Sequence, residues 1–296
     1  ACGHDLHMSI FLGVVYALAK AKDKWSGTIV AVAQPAEEVG EGASAMIEAG
    51  LFKKFPKPDY ALAIHVAGLT KVGKISYHKG YSLANVDYVD ISIYGKGGHG
   101  AMPHTTIDPI VLSAQIVLAL QTLASRTINP IDPVVLTVGS INGGTKYNII
   151  PEEVKMQATV RSFGDDVRKQ IKEWIYRIVE NLSASAGAPK PKIIYREGVH
   201  SLYNDPNLVD TILPVLESVV GKDNLFESKK EMYGEDFSFY GHKTGIPIFI
   251  FWVGSQAKGS PPNIAMHSPR FAPEFKGTFL TGATALTESA ISLLKK

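Results

Sequence analysis

The hydrophobic rhythm of the chain changes twice along its length, and this double change restricts the architectures open to it. The first third alternates helix-like and strand-like segments. A helix is expected from about Leu6 to Ala21, capped by Asp5. Gly27–Ala33 (GTIVAVA) and Tyr60–Val66 (YALAIHV) read as short, β-rich apolar strands covered on both faces, and a short helix near Ala43–Ala49 stops at Gly50. This order predicts an α/β fold with a largely parallel sheet. From Val86 the pattern differs. Val86–Tyr94 alternates as a half-exposed strand does, Thr106–Ser125 and Val167–Ala184 are amphipathic helices, and Pro133–Asn142, Glu153–Phe163 and Lys192–Arg196 are strands. Their order, β-α-β-β-α-β, is that of the ferredoxin-like unit. Helix Asn207–Val220, apolar strand Ile246–Gly254 and closing helix Pro273–Leu294 then restore the first pattern. We therefore expect one α/β domain of residues 1–83 and 197–296, interrupted by an inserted α+β domain of residues 84–196.

Composition narrows the function classes. Hydrophobic residues make up 45% and charged residues 20%, which excludes intrinsic disorder. Thirty Lys and Arg against 28 Asp and Glu leave a net charge of +2, with the basic residues scattered, so neither nucleic acid nor an anionic membrane is an expected partner. The longest apolar runs, such as Ile246–Val253, fall short of the roughly 20 residues that span a bilayer. The single cysteine, Cys2, forms no intrachain disulfide, and a cytoplasmic location is expected. The chain opens on Ala-Cys-Gly-His without an initiator Met or a signal pattern and reads as an internal start.

Four separate segments carry residues able to bind metal. Cys2-Gly3-His4 sets a thiol and an imidazole two residues apart. Gln34-Pro35-Ala36-Glu37-Glu38 follows a predicted strand, where ligand sites of open α/β sheets lie. His65 ends the next strand, and His267 sits in a Met-His-Ser-Pro loop after the last one. Singly, each has a plainer reading: packing or surface for the Cys-x-His triplet, a helix N-terminus for the paired glutamates, a core histidine for His65 and a loop residue for His267. Together, Cys2, His4, Glu38, His65 and His267 are too many for one closed tetrahedral site and suit two ions sharing a bridge, with Glu37 left as a general base.

These motifs, with GGHGAMPH around His99 and the Asn-Ile-Ile-Pro run after Tyr147, resemble the amidohydrolase subgroup of the aminoacylase/carboxypeptidase metallopeptidases, which contains indole-acetyl-amino-acid hydrolases, hippurate hydrolases and N-acetyl-diaminopimelate deacetylases. The resemblance covers essentially the whole chain. It implies a two-metal aminopeptidase-like catalytic domain with an inserted lid and dimerisation domain, and cleavage of the amide bond of N-acyl amino acids. The two divalent ions (Zn, Mn, Ni or Co) are implied at Cys2, His4, Glu38, His65 and His267, with Cys2 in the bridging position. Glu37 is implied as general base and acid, and His99 as the histidine that related dimers bring to the neighbouring subunit's site to steady the carbonyl oxygen. Asn148 and Arg161 match groups used on the substrate carboxylate and backbone. A homodimer through the inserted domain follows. In relatives a further segment precedes the Cys-Gly-His motif and supplies the first strands and helices of the catalytic domain; here the chain starts one residue before Cys2. A dipeptidase or carboxypeptidase on the same scaffold, and a non-catalytic fragment or interaction module, are the competing readings.

Overall fold

The computed structural model describes residues 1–257, Gly259 and 266–295. In chain order the elements are α1 (His4–Lys20), α2 (Gly42–Glu48), α3 (Leu51–Lys54), β1 (Ala61–Lys71), β2 (Ile75–Tyr77), β3 (Gly80–Leu83), β4 (Asn85–Tyr94), β5 (Gly98–His99), α4 (Pro109–Thr122) and β6 (Val135–Gly143). There follow β7 (Ile149–Ile150), β8 (Glu153–Ser162), α5 (Asp165–Ser185), β9 (Lys192–Glu197), β10 (Leu202–Asn204), α6 (Pro206–Val220), β11 (Leu225–Glu227), α7 (Ser238–Thr244), β12 (Ile248–Gln256) and α8 (Phe275–Leu293). The chain divides into two compact units, one of Ala1–Ser82, Tyr203–Lys230 and Asp236–Lys296, the other of Leu83–Leu202 and Glu231–Glu235.

The first unit is built on a mixed sheet in the order β1-β12-β2-β11. β1 and β12 run parallel in register from Ala61 opposite Ile248 to Ala67 opposite Gly254, and β2 meets β12 antiparallel. β12 lies inside the sheet, and its first eight residues are buried, as a continuous apolar run requires. Phe249, Phe251 and Val253 pack with Leu208, Ile212 and Leu216 of α6. A second cluster joins Ile10, Val14 and Leu18 of α1 to Trp25 and to Ile291 of α8.

The predicted strand at Gly27–Ala33 does not form. Ile29 packs into the α1 cluster, but the run pairs with no strand among the described residues, and Thr28, Ala31 and Ala33 are exposed. Its composition favours extended backbone, yet a strand exists only through a hydrogen-bonded neighbour, and the sheet begins at β1. Helix α1 likewise starts two residues earlier than expected. Gly3, with φ of +83°, is its N-cap, and Asp5 stands inside the first turn, where its charge favours the helix dipole.

The second unit is an antiparallel sheet in the order β6-β8-β4-β9 with α4 and α5 packed on it, the arrangement of a ferredoxin-like β-α-β-β-α-β unit. Val89, Ile91 and Ile93 of β4 alternate with more exposed residues and meet Leu112, Ile116 and Leu120 of α4 and Ile171, Ile175 and Val179 of α5. Asp108 caps α4, accepting from the Ile110 amide at 2.8 Å. Contrary to the apolar-run argument, the 19-residue segment Pro109–Thr127 is long and apolar enough to cross a membrane by length and composition. Uninterrupted runs miss it because Ser113, Gln115, Gln121 and Thr122 punctuate it without adding charge. Its Leu112, Ile116, Leu120 and Leu123 are buried in the core of this unit.

Candidate metal centre

Gly3 brings Cys2 and His4 to one place. A side chain at Gly3 would come within 2.5 Å of Val66 Cγ2, and only its left-handed backbone lets the Cys2 segment turn directly into α1. His65 lies in β1, two residues before the regular pairing with β12 ends. Glu37 and Glu38 occupy a single 3₁₀ turn, Glu37–Val39, entered through Ala36 at φ of 58°. His267 is also left-handed, φ of 64°, and its amide donates to the Ala1 carbonyl at 2.8 Å, tying its loop to the segment of Cys2.

All five expected ligands converge. Cys2 Sγ lies 3.5 Å from His65 Nε2 and 3.2 Å from His267 Nε2. Glu38 is 3.5 Å from His267 Nε2 and 3.6 Å from His4 Nε2. Donors about 2.0–2.3 Å from a tetrahedral ion stand roughly 3.3–3.8 Å apart, and three of these four spacings fall within that range. Two triads emerge, Cys2–His4–His65 and Cys2–Glu38–His267, each with its donor atoms within 4.8 Å of one another, and Cys2 belongs to both. Thiolate, imidazole and carboxylate donors arranged this way fit two divalent ions of the zinc, manganese, cobalt or nickel type.

The electrostatics favour metal-binding protonation states. His65 Nδ1 bonds the Val66 carbonyl at 2.8 Å, which turns Nε2 toward Cys2. Burial holds the His65 imidazole down to about 4, against the opposing pull of that carbonyl bond, and His4 lowers it further. Glu37 stands 3.5 Å from His4 Nε2. Burial first, then the Asp236 and Glu38 carboxylates, push its carboxyl up to about 7, the range of a group that takes and returns a proton near neutrality.

The remaining expected site residues lie in the second unit. His99 pairs with Ile149 across the β5–β7 ribbon, and its Nδ1 accepts the Ala101 amide at 3.1 Å, so Nε2 carries the proton and is a donor. The Gly100 amide donates to the Asn148 carbonyl at 2.9 Å, holding His99 and Asn148 in one exposed ribbon. Arg161, half-buried on β8, donates through Nη1 to the Met232 carbonyl at 3.3 Å.

Two residues given no role in the site by the sequence lie against it. His7 accepts the Val66 amide at 3.0 Å through Nε2, and its ring centroid is 4.4 Å from that of His65. Burial, then His65 and His4, hold it down to about 2, so it is neutral and braces the strand beside His65. Its position three residues after His4, on the same helix face, was an available signal. Asp236 is fully buried and bonds both Gln34 and the Ala43 amide, across about 200 residues of chain.

The chain is similar to known proteins over most of its length. Thermostable carboxypeptidase 2 of Saccharolobus solfataricus is 38% identical over 275 residues, 92% of this chain and 67% of that protein. N-acetyldiaminopimelate deacetylase of Bacillus subtilis is 36% identical over 261 residues, 87% of this chain and 67% of the relative. A solved Bacillus subtilis structure, described as a dinuclear metal binding peptidase from the M20 family, superposes with a TM-score of 0.79 at 27% identity over 99% of this chain and 72% of that one. The chain thus spans about two thirds of the length of these curated relatives. The family model matching residues 1–291 takes in both the paired-triad unit and the ferredoxin-like unit, and the chain belongs to peptidase family M20/M25/M40.

Proposed function

We propose that this chain hydrolyses the amide bond of N-acyl amino acids, with two divalent ions held by Cys2, His4, His65, Glu38 and His267. The observation that carries the reading is the pair of donor triads sharing Cys2, with a proton-accepting glutamate beside them. When bound, the ions polarise the amide carbonyl and make water a nucleophile at neutral pH. Glu37 accepts the proton from the attacking water and passes it to the departing amine nitrogen. His99 Nε2–H hydrogen-bonds the carbonyl oxygen as negative charge gathers there. Asn148 and Arg161 hold the substrate's carboxylate, for which a planar guanidinium is suited.

The test is metal content with a substrate panel. Chain loaded separately with zinc, manganese, cobalt or nickel should retain two ions after dialysis, and should release free amino acid from N-acetyl, benzoyl or indole-acetyl amino acids. Chelation should abolish this and metal should restore it. Hydrolysis confined to dipeptides or longer peptides would favour the carboxypeptidase reading, which the Saccharolobus relatives support. Absence of stoichiometric metal would favour a non-catalytic module.

We also propose that His99 acts on the site of a second copy. β6 is an edge strand, and Val135 and Ile141 on it, with Ile110, Val111 and Leu118 of α4, are exposed apolar groups within one unit. Equal amounts of His99→Ala and Glu37→Gln, each inactive alone, should then regain about a quarter of wild-type activity, since random pairing makes half the dimers mixed, each with one complete site. Failure to regain activity where sedimentation shows mixed dimers would end this assignment.

A further inference from the structure

The segment from Pro35 to Gly42 leaves and returns to a single point. Gln34 Nε2, just before it, donates to Asp236 Oδ1 at 2.6 Å, and the Ala43 amide, just after it, donates to Oδ2 at 3.0 Å. Its ends nearly touch, since a side chain at Gly42 would lie 1.7 Å from the Pro35 carbonyl oxygen. Inside the loop Ala36 is held in the left-handed region, at φ of 58°, which a residue with a side chain rarely adopts. Within the loop the Gly40 amide donates to the Glu37 carbonyl at 2.7 Å and the Glu41 amide to the Ala36 carbonyl at 3.4 Å. Glu38 and Val39 at its tip are exposed, so packing does little to set their positions.

We propose that Asp236 is a positioning residue for the metal centre: its buried carboxylate clamps both ends of the Gln34–Ala43 loop and so sets where Glu37 and Glu38 stand. The chemistry fits a carboxylate in particular. Both partners are donors, and an ionised carboxylate accepts from each in charge-assisted bonds, whereas an amide of the same shape turns a donor toward one of them. One oxygen of Asp236 lies within 4.8 Å of one of Glu37, so the clamp and the reacting carboxyl are neighbours. This inference rests on the functional reading above only for its effect on turnover; its effect on metal binding stands independently.

The experiment compares wild type, Asp236→Asn and Gln34→Met by metal titration calorimetry, steady-state kinetics and thermal melting. For both variants we expect metal affinity and kcat to fall about 10–100-fold, as outer-shell partners of ligands do when removed, with KM changed less than about threefold. Metal affinity and kcat within about twofold of wild type, with only the melting temperature lowered, would overturn the proposal, because that is the signature of a structural carboxylate. If Asp236→Asn does not fold, Gln34→Met alone decides, since it removes one tie and leaves the carboxylate in place. Wild-type chain that binds two ions but cleaves no acyl amino acid would sink the functional reading, while the calorimetry would still judge the clamp.

Discussion

Glu37→Gln should keep two divalent ions and lose hydrolysis by about 10²–10⁴-fold, the range expected when a positioned proton carrier is removed. Glutamine matches glutamate in shape, so the loop around it should hold, but a carboxamide cannot accept the proton of the attacking water. The variant also separates two roles the geometry allows. Besides the triads that share Cys2, His4 forms a third close group with Glu37 and Glu38. If Glu37 were chiefly a ligand, its replacement would strip an ion. We assign it to proton transfer because the two triads already supply five donors without it. Metal analysis after dialysis, beside single-turnover hydrolysis, reads both quantities. Loss of one ion per chain would reassign Glu37 to metal binding, and turnover near wild type would remove it from the mechanism.

The largest stability effect should come from the second unit. Arg168 and Asp87 are almost wholly buried, with side chains 4% and 1% exposed. Arg168 Nε bonds both Asp87 oxygens, at 3.1 and 3.0 Å, Nη2 makes a further short contact, and the Tyr195 hydroxyl donates to Oδ2 at 2.6 Å. Burial, then Asp87, raise the Tyr195 phenol well above its ordinary pKa, so it remains a donor. The cluster joins α5, β4 and β9. Arg168→Met leaves a carboxylate buried without its cation and should destabilise this unit by about 3–5 kcal/mol. Adding Asp87→Asn should recover much of the loss, because the cost lies in the stranded charge rather than in a missing attraction. Urea unfolding followed through Trp174 on α5 checks both, and a single variant within about 1 kcal/mol of wild type would contradict the argument.

Much of the architecture was readable because it rests on local spacing. The apolar run of β12 was read correctly as a buried strand and the alternation from Val86 as a half-exposed one, whereas Tyr60–Val66, read as covered on both faces, is buried only at Val66. The residues that converge were readable too, since Cys2, Glu38, His65 and His267 stand next to helix starts, turns and strands. The run at 27–33 misled because β propensity describes a residue, while a strand requires a neighbour. Asp5 misled because a left-handed Gly3 already starts the helix.

Periodicity and residue chemistry, which act over a few positions, were enough to name the kind of fold and to single out the side chains that converge. Only folding in three dimensions decided that Cys2 Sγ meets imidazoles 63 and 265 residues away, that His7 lies half-buried beside His65, and that Asp236 closes a loop more than 190 residues before it. The reason is physical. Proton affinity and coordination distance depend on which groups burial brings together, and burial depends on contacts distant in the chain.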